Sequence, residues 1–271
     1  MSSQGVYLYS FALSGALPDG CSIGKDSGRE VSIKRIKDVA ALCSRVSLGE
    51  FTGETGELNM KNPAWLIPQA CRHEKVVEEA MKYSPVVPLR FATVFSSMQA
   101  LEEFITPWHE EISRGLEYVS GKEEWCVKVF AHVGRIVERL LAADPLLARQ
   151  RDCLSDSPGA RYFQEKQLHR EAEKQANCLC RSVAERFALE LKRVSVELRF
   201  LNLRNENQQE GGGRMVLNCA LFLSRARVDD FHARVEEISA TYGAGEVVQE
   251  TSGPWPPYNF CPSIQSVPNP L

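Results

Sequence analysis

The chain has 271 residues, 44% of them hydrophobic, with 32 Lys plus Arg against 35 Asp plus Glu and a net charge of −3. Such a balance belongs to an ordinary globular protein and excludes collagen-like, disordered and disulfide-scaffold classes. The near-neutral charge offers no basic face for nucleic acid. A chain this long buries about three quarters of its unfolded surface, so it needs no metal or disulfide to fold, and its length suits one large domain or two ordinary ones. Nine Cys are scattered along it and read as small buried hydrophobes kept reduced.

Met1 to Pro18 carries no charged side chain. Val6–Leu17 has the length of a signal-peptide core, but no Lys or Arg precedes it, and Ser10, Ser14 and Gly15 interrupt it. It is too short and too polar to span a bilayer. The expectation is a buried first strand over Val6–Leu13 in a cytoplasmic protein with no membrane partner.

Pro18–Gly28 reads as a turn-rich loop, then Val31–Ile36 and Val39–Val46 as short strands. Glu50–Pro68 mixes Gly, Glu and Pro and reads as a long exposed connection. Cys71–Lys82 is expected to be a helix with His73, Val77, Ala80 and Met81 on one side, stopped by Ser84-Pro85. Val86–Leu89 and Phe91–Phe95 form a hairpin-like extended stretch. A helix begins at Ser96, with Ser96 and Gln99 at capping-box spacing. Its stripe is Met98, Leu101, Ile105, Trp108, Ile112, Leu116 and Val119, and Pro107 predicts a kink or a second helix capped by Thr106.

Gly121 marks the expected domain boundary. Beyond it come a strand over Trp125–Ala131, a helix over Val133–Ala143, and a long amphipathic helix over Ala160–Lys192 with the stripe Leu168, Ala172, Ala176, Leu179, Val183, Phe187 and Leu191. Its two alanines would let another element approach closely. Val194–Phe200 alternates apolar with polar, Asn205–Gly213 is a flexible polar loop, and Met215–Leu223 is a strand. Val228–Tyr242 is a helix closed by Gly243, and Glu246–Glu250 is the last strand. The order β-α-β-β-α-β matches a ferredoxin-like sandwich. The fold class is therefore α+β in two domains: an N-terminal α/β domain over 1–120, and a modified ferredoxin-like domain over 121–271. The second carries a helical extension over about 145–192 and a C-terminal tail rich in proline and aromatics. That tail, Gly253-Pro-Trp-Pro-Pro-Tyr-Asn-Phe260, is stiffened by three prolines and carries three aromatic anchors. It is expected to dock within the chain, over the last strand, rather than act as a ligand for another protein.

No motif carries catalysis or a cofactor. Gly20-Cys-Ser-Ile-Gly24-Lys25-Asp26 has three residues between its glycines where a phosphate loop needs four, and Asp26 would repel phosphate. Cys178 and Cys180 sit two apart on a helix and point to nearly opposite sides, so they cannot chelate one ion. His73, His109, His132, His169 and His232 fall in no metal-binding spacing, and no G-x-S-x-G elbow marks a nucleophile. The expectation is no metal and no cofactor. The competing classes are an enzyme with His132 or Cys126 beside a pocket, and a small-ligand regulatory module, since this sandwich hosts many functions.

Several segments together resemble the gas vesicle protein F/L family (GvpL/GvpF). They are Val6-Tyr-Leu-Tyr9, His73-Glu-Lys-Val-Val77, Val87-Pro-Leu-Arg-Phe91 with Thr93-Val-Phe95, Gly121-Lys-Glu-Glu-Trp125 with Val127-Lys-Val129, and Gly253–Phe260. They run end to end in the family's order. Ala92 and Cys126 stand where the family usually has Gly, which puts the local backbone geometry at those positions in question. The resemblance implies a non-enzymatic accessory protein of gas vesicle formation. It also implies association with the hydrophobic major shell protein, as an aid to nucleation or against aggregation, and a location at the gas vesicle within the cytoplasm. Other vesicle accessory proteins are further implied partners. A shell subunit with one apolar face needs cover before assembly, by an added strand at a sheet edge or a groove for an amphipathic helix. The candidate contact region is Val86–Phe95, with Val87, Leu89, Arg90, Phe91 and Phe95 as contact residues; the competing and favoured reading is that this run is simply a buried strand.

Overall fold

A computed structural model describes residues 4–18, 23, 29–203, 213–243 and 245–261. Most of the loops expected at Pro18–Gly28 and Asn205–Gly213 lie outside the described residues. The described chain folds into two compact units: residues up to Glu124 together with those from Pro254 onward, and Trp125–Gly253. The tail thus groups with the N-terminal unit, whereas the sequence boundaries keep it in the second half.

The first unit is built around β1 (Gln4–Leu13), the central strand of an antiparallel sheet. On one side β1 pairs with β3 (Val39–Ser47), which pairs in turn with β2 (Ser32–Ile36). On the other it pairs with two short strands, β4 (Val86–Pro88) and β5 (Val94–Phe95). The stretch expected as a hairpin is therefore no hairpin, because both strands pair with β1 rather than with each other. Helices cover both faces of β1, which explains its nearly unbroken apolar run. Tyr7, Tyr9 and Ala12 face one core with Val76, Val77 and Ala80. Val6, Leu8 and Phe11 face the other with Leu101, Ile105, Ile112 and Leu116. The alternation changes phase after Tyr9 because the β1–β3 register slips between Leu8 and Ser10. One extra residue in a bulged strand turns every later side chain to the opposite face.

Glu50–Pro68 is not an irregular connection. It holds α1 (Gly53–Lys61) and the start of α2 (Pro63–Met81). Pro63 occupies the first helical turn, where its missing N–H costs nothing, and Asn62 caps it by accepting from Ala64 N at 3.1 Å. Pro68 lies inside α2 and forfeits one backbone bond. The third helix, α3 (Met98–Val119), runs unbroken through Pro107. Its cap is Ser97, which accepts from Ala100 N at 3.1 Å, one residue later than the sequence spacing suggested. Trp108, placed on its buried stripe by periodicity, is exposed.

In the second unit β6 (Lys122–Ala131) is followed by α4 (Val133–Ala143), α5 (Pro145–Asp152) and the 37-residue α6 (Pro158–Val194). Then come β7 (Glu197–Phe200), β8 (Arg214–Ser224), α7 (Val228–Ser239) and β9 (Val247–Trp255). The sheet order β7-β8-β6-β9 puts the first and third strands of the βαββαβ unit in the middle, the split βαβ arrangement of a ferredoxin-like sandwich. One end of α6 (Val183, Phe187, Leu191) packs on this sheet with Phe231, Val235 and Ile238 of α7. Its other end joins Ile136 and Val137 of α4 and Leu147 of α5. Ala172 and Ala176 are fully buried there, so the close approach they permit is used by the chain's own helices. Cys180 replaces Leu179 on the buried stripe. Among the described cysteines Cys43, Cys180 and Cys219 are buried as expected, whereas Cys71, Cys153 and Cys178 are exposed.

Candidate functional site: a buried hydrogen-bond cluster and the turn it holds

His73, on the buried face of α2, is the centre of a polar cluster in the first unit. Its Nδ1 lies 2.8 Å from the Tyr7 hydroxyl. Its Nε2 lies 3.1 Å from both Leu89 O and the Tyr258 hydroxyl. A carbonyl can only accept, so Nε2 carries the proton and Nδ1 is the acceptor. The remaining directions follow. Tyr7 O–H donates to His73 Nδ1, and its oxygen accepts from Ala92 N–H at 3.0 Å. Tyr258 O–H donates to Glu74 Oε2 at 3.1 Å. Every member is satisfied, which is the condition for a buried polar network to stabilise a fold.

The electrostatics keep this cluster neutral at its centre. Burial pushes the His73 imidazole down to about 4, against the weaker opposing hydrogen bond to Leu89. Burial also raises the Tyr7 phenol. It raises Tyr258 too, and the Glu74 carboxylate adds to the effect. Glu74 itself is raised by burial, partly offset by its bond from Tyr258. The neutral imidazole thus sits between two protonated phenols, packed among the Tyr9, Phe91 and Tyr258 rings.

The tail is fixed by a second set of bonds. Asn259 donates from its backbone N (3.0 Å) and its Nδ2 (2.5 Å) to the carboxylate of Glu124, which is 2% exposed. Phe260 is buried beside it in sequence. The tail therefore docks within the chain, on α2 and Glu124 rather than over the last strand. The five segments that carry the family resemblance meet here: Tyr7, His73 with Glu74, Leu89, Glu124, and Tyr258 with Asn259.

Of the candidate contact residues, Val87, Leu89 and Phe95 are buried in the core, Phe91 is half-buried and Arg90 is exposed. Arg90 to Thr93 form a turn closed by Thr93 N–H to Arg90 O at 3.2 Å. Ala92 has φ +67, as the third residue of a type II turn requires. That position favours Gly, and here an alanine carries the strain of the left-handed conformation. The sequence reading therefore missed the cluster's partners and the turn geometry. The signal was present in Tyr7, His73 and Tyr258, polar aromatics within apolar segments, but their meeting depends on tertiary structure.

The model of the family described as "Gas vesicle synthesis protein GvpL/GvpF" matches residues 5–262. The chain belongs to this family. It is 30% identical over 263 residues to gas vesicle protein L of Streptomyces sp. (strain CB03234), covering 95% of this chain and 92% of the relative. It is 22% identical to gas vesicle protein L2 of Halobacterium salinarum, covering 97% and 93%. The crystal structure of GvpF from Anabaena sp. PCC7120 superposes with a TM-score of 0.68 at 20% identity, over 95% of this chain and 98% of that one. GvpF from Microcystis aeruginosa superposes with a TM-score of 0.62. These two share the fold, and family membership ties the chain to gas vesicle formation.

Two grooves in the second unit lie along α6. One, of about 470 Å³, includes Leu146, Gln150, Cys153 and Glu171; the other, of about 530 Å³, includes Glu138, Arg151, Glu165 and His169. Neither is lined by His132 or Cys126, the residues on which the enzyme reading rested. Among the described residues no group of three or more His, Cys, Asp or Glu could hold a metal ion, and no helix is long and apolar enough to cross a membrane.

Proposed function

We propose that this GvpL/GvpF family member is a non-enzymatic accessory protein that binds the hydrophobic major shell protein at the gas vesicle. It would hold that protein soluble or seed its assembly. The observation that carries the reading is the family match over residues 5–262, joined to a buried cluster that is neutral and packed rather than poised for catalysis. Within the contact segment, Val87, Leu89 and Phe95 are buried in the core, the turn is tied by Ala92 N–H to the Tyr7 hydroxyl, and Arg90 with the edge of Phe91 is the part a partner meets. A rigid turn presents a side chain at little entropic cost on binding.

The test is co-sedimentation of the purified chain with the major shell protein at near-stoichiometric ratio, with light scattering to follow shell-protein aggregation. Binding with suppressed scattering is expected. Arg90→Glu should weaken association while the far-UV CD spectrum and melting temperature stay unchanged. No association at any salt concentration would refute shell binding, and unchanged binding by Arg90→Glu would remove the turn from the contact surface.

A further inference from the structure

Two exposed helix faces carry opposite charge, one in each compact unit. On α3, Glu103, Glu110 and Glu117 recur every seven residues and all three are exposed. Glu103 accepts from the neutral Gln99 amide at 2.9 Å, and among the described residues no cation meets the carboxylates of Glu110 and Glu117. Arg114 lies in the same row but is held by Glu111 at 3.0 Å, so the row keeps a negative charge.

On α6, Lys166, Arg170, Lys174 and Arg181 are all exposed and share about a quarter of the helix circumference. Helices commonly set opposite charges three or four residues apart, where they compensate. Here the neighbouring acids are engaged elsewhere: Glu165 with Arg161 at 3.0 Å and Glu173 with His169 at 3.7 Å, while Glu171 lines the groove beside α5. Arg181 reaches the Cys178 sulfur at 3.3 Å. Arg214 adds a further cation to the row by donating to Asn177 Oδ1 at 2.9 Å.

The two rows match in length. Glu103 to Glu117 covers about 21 Å of helix axis and Lys166 to Arg181 about 22 Å. Laid antiparallel, Glu103 comes level with Arg181, Glu110 with Lys174, and Glu117 with the step from Arg170 to Lys166. In that direction Tyr118, 38% exposed, meets the end that carries Phe163, 71% exposed, and the helix dipoles oppose one another. A parallel arrangement loses both. We propose that α6 of one copy of the chain docks antiparallel on α3 of a second copy, through these two rows. The occupant follows from charge: the α6 row needs an acidic rod of about its own length, and every copy carries one. The contact uses neither Arg90 nor its turn, so it stands apart from shell binding. Exposed ion pairs are individually weak and are screened by salt, so the association grows with concentration and fades as salt is added.

The experiment is sedimentation velocity of the full chain over a concentration series at low and high ionic strength. Association is expected at low salt, with its loss near about 1 M, where the screening length falls to about 3 Å. Glu110→Lys with Glu117→Lys leaves a chain with two cationic rows, and Arg170→Glu with Lys174→Glu leaves one with two acidic rows. Either pair of substitutions should raise the Kd on the order of tenfold or more. An equimolar mixture of the two variants has attraction in both directions and should associate as the wild type does, a result that loss of fold could not produce. A monomer at every concentration in low salt would overturn the proposal and leave the α6 row to an acidic partner of another kind. So would association indifferent to salt or to either charge reversal, or reversed variants that mixing does not rescue.

Discussion

Tyr7→Phe deletes one oxygen and leaves two protein groups without a partner. Ala92 N–H loses its acceptor and His73 Nδ1 loses its donor. Neither can turn elsewhere. The imidazole cannot switch tautomer, because Leu89 O requires the Nε2 proton, and Ala92 N is fixed in its turn. Each buried group left unsatisfied costs about 1–3 kcal/mol. With Ala92 half-buried and the phenyl ring easier to desolvate than the phenol, the expected loss is about 2–4 kcal/mol. Tyr9→Phe is the matched control, two residues along the same strand and equally buried. Its hydroxyl donates only to Ser44 Oγ at 3.2 Å, and Ser44 keeps its own 2.7 Å bond to Glu30 O. That loss should stay below about 1 kcal/mol. Urea unfolding gives the totals as a lower midpoint at unchanged slope. Hydrogen exchange of peptides from β1, α2 and the Arg90–Thr93 turn assigns the loss to the first unit. Equal effects from the two substitutions, or a smaller one at Tyr7, would refute the reading of the cluster.

Two further outcomes follow from the same region. Burial holds His73 at about 4 against an ordinary value of 6.5, so between those values the unfolded chain binds the extra proton and the folded chain does not. Its contribution to stability is complete above about pH 6.5 and is lost as pH falls toward 4, with a slope of about 1.4 kcal/mol per pH unit. His73→Gln should flatten that part of the stability profile in urea titrations across this window, and a slope identical to wild type would count against it. Glu124→Gln replaces one acceptor oxygen by an amide that faces the Asn259 donors. The tail from Pro254 should then exchange its amides and be cleaved by protease several-fold faster, while α3, with its own packed stripe, keeps its protection; an unaltered tail would show that Glu124 does not hold it.

What could be read from the sequence was what local physics decides. The 3.6-residue stripes of α3, α6 and α7 and the run of β1 appear within a residue or two of their places because one face of each is apolar. Glu50–Pro68 was misjudged because Gly53, Pro63 and Pro68 look like breakers. Two of them sit in first turns, where a helix tolerates them. The change of face along β1 was invisible because a bulge is one residue long and is set by the partner strand. Trp108 and Phe200 followed the apolar pattern but are 40% and 68% exposed, since periodicity reports which side a residue faces and not whether another layer is there.

The candidate site divides along the same line. The segments that make this chain resemble its family supply buried or half-buried groups: Tyr7, His73, Leu89, Glu124, Tyr258 and Asn259 each form a bond to a residue far away in sequence. They close the first unit by tying α2, the Arg90–Thr93 turn and the tail together. A motif of this kind identifies a fold strongly, because every member must be present for the others to be satisfied. It says little about a binding surface, which needs side chains that are left outside. Arg90 is informative for that reason: it is the exposed member of a matched segment whose other residues are buried or half-buried, and none of the cluster bonds described above is made by its side chain. A binding defect in Arg90→Glu with an intact fold, beside a folding defect in Tyr7→Phe, would separate the surface that recognises a partner from the interior that recognises the family.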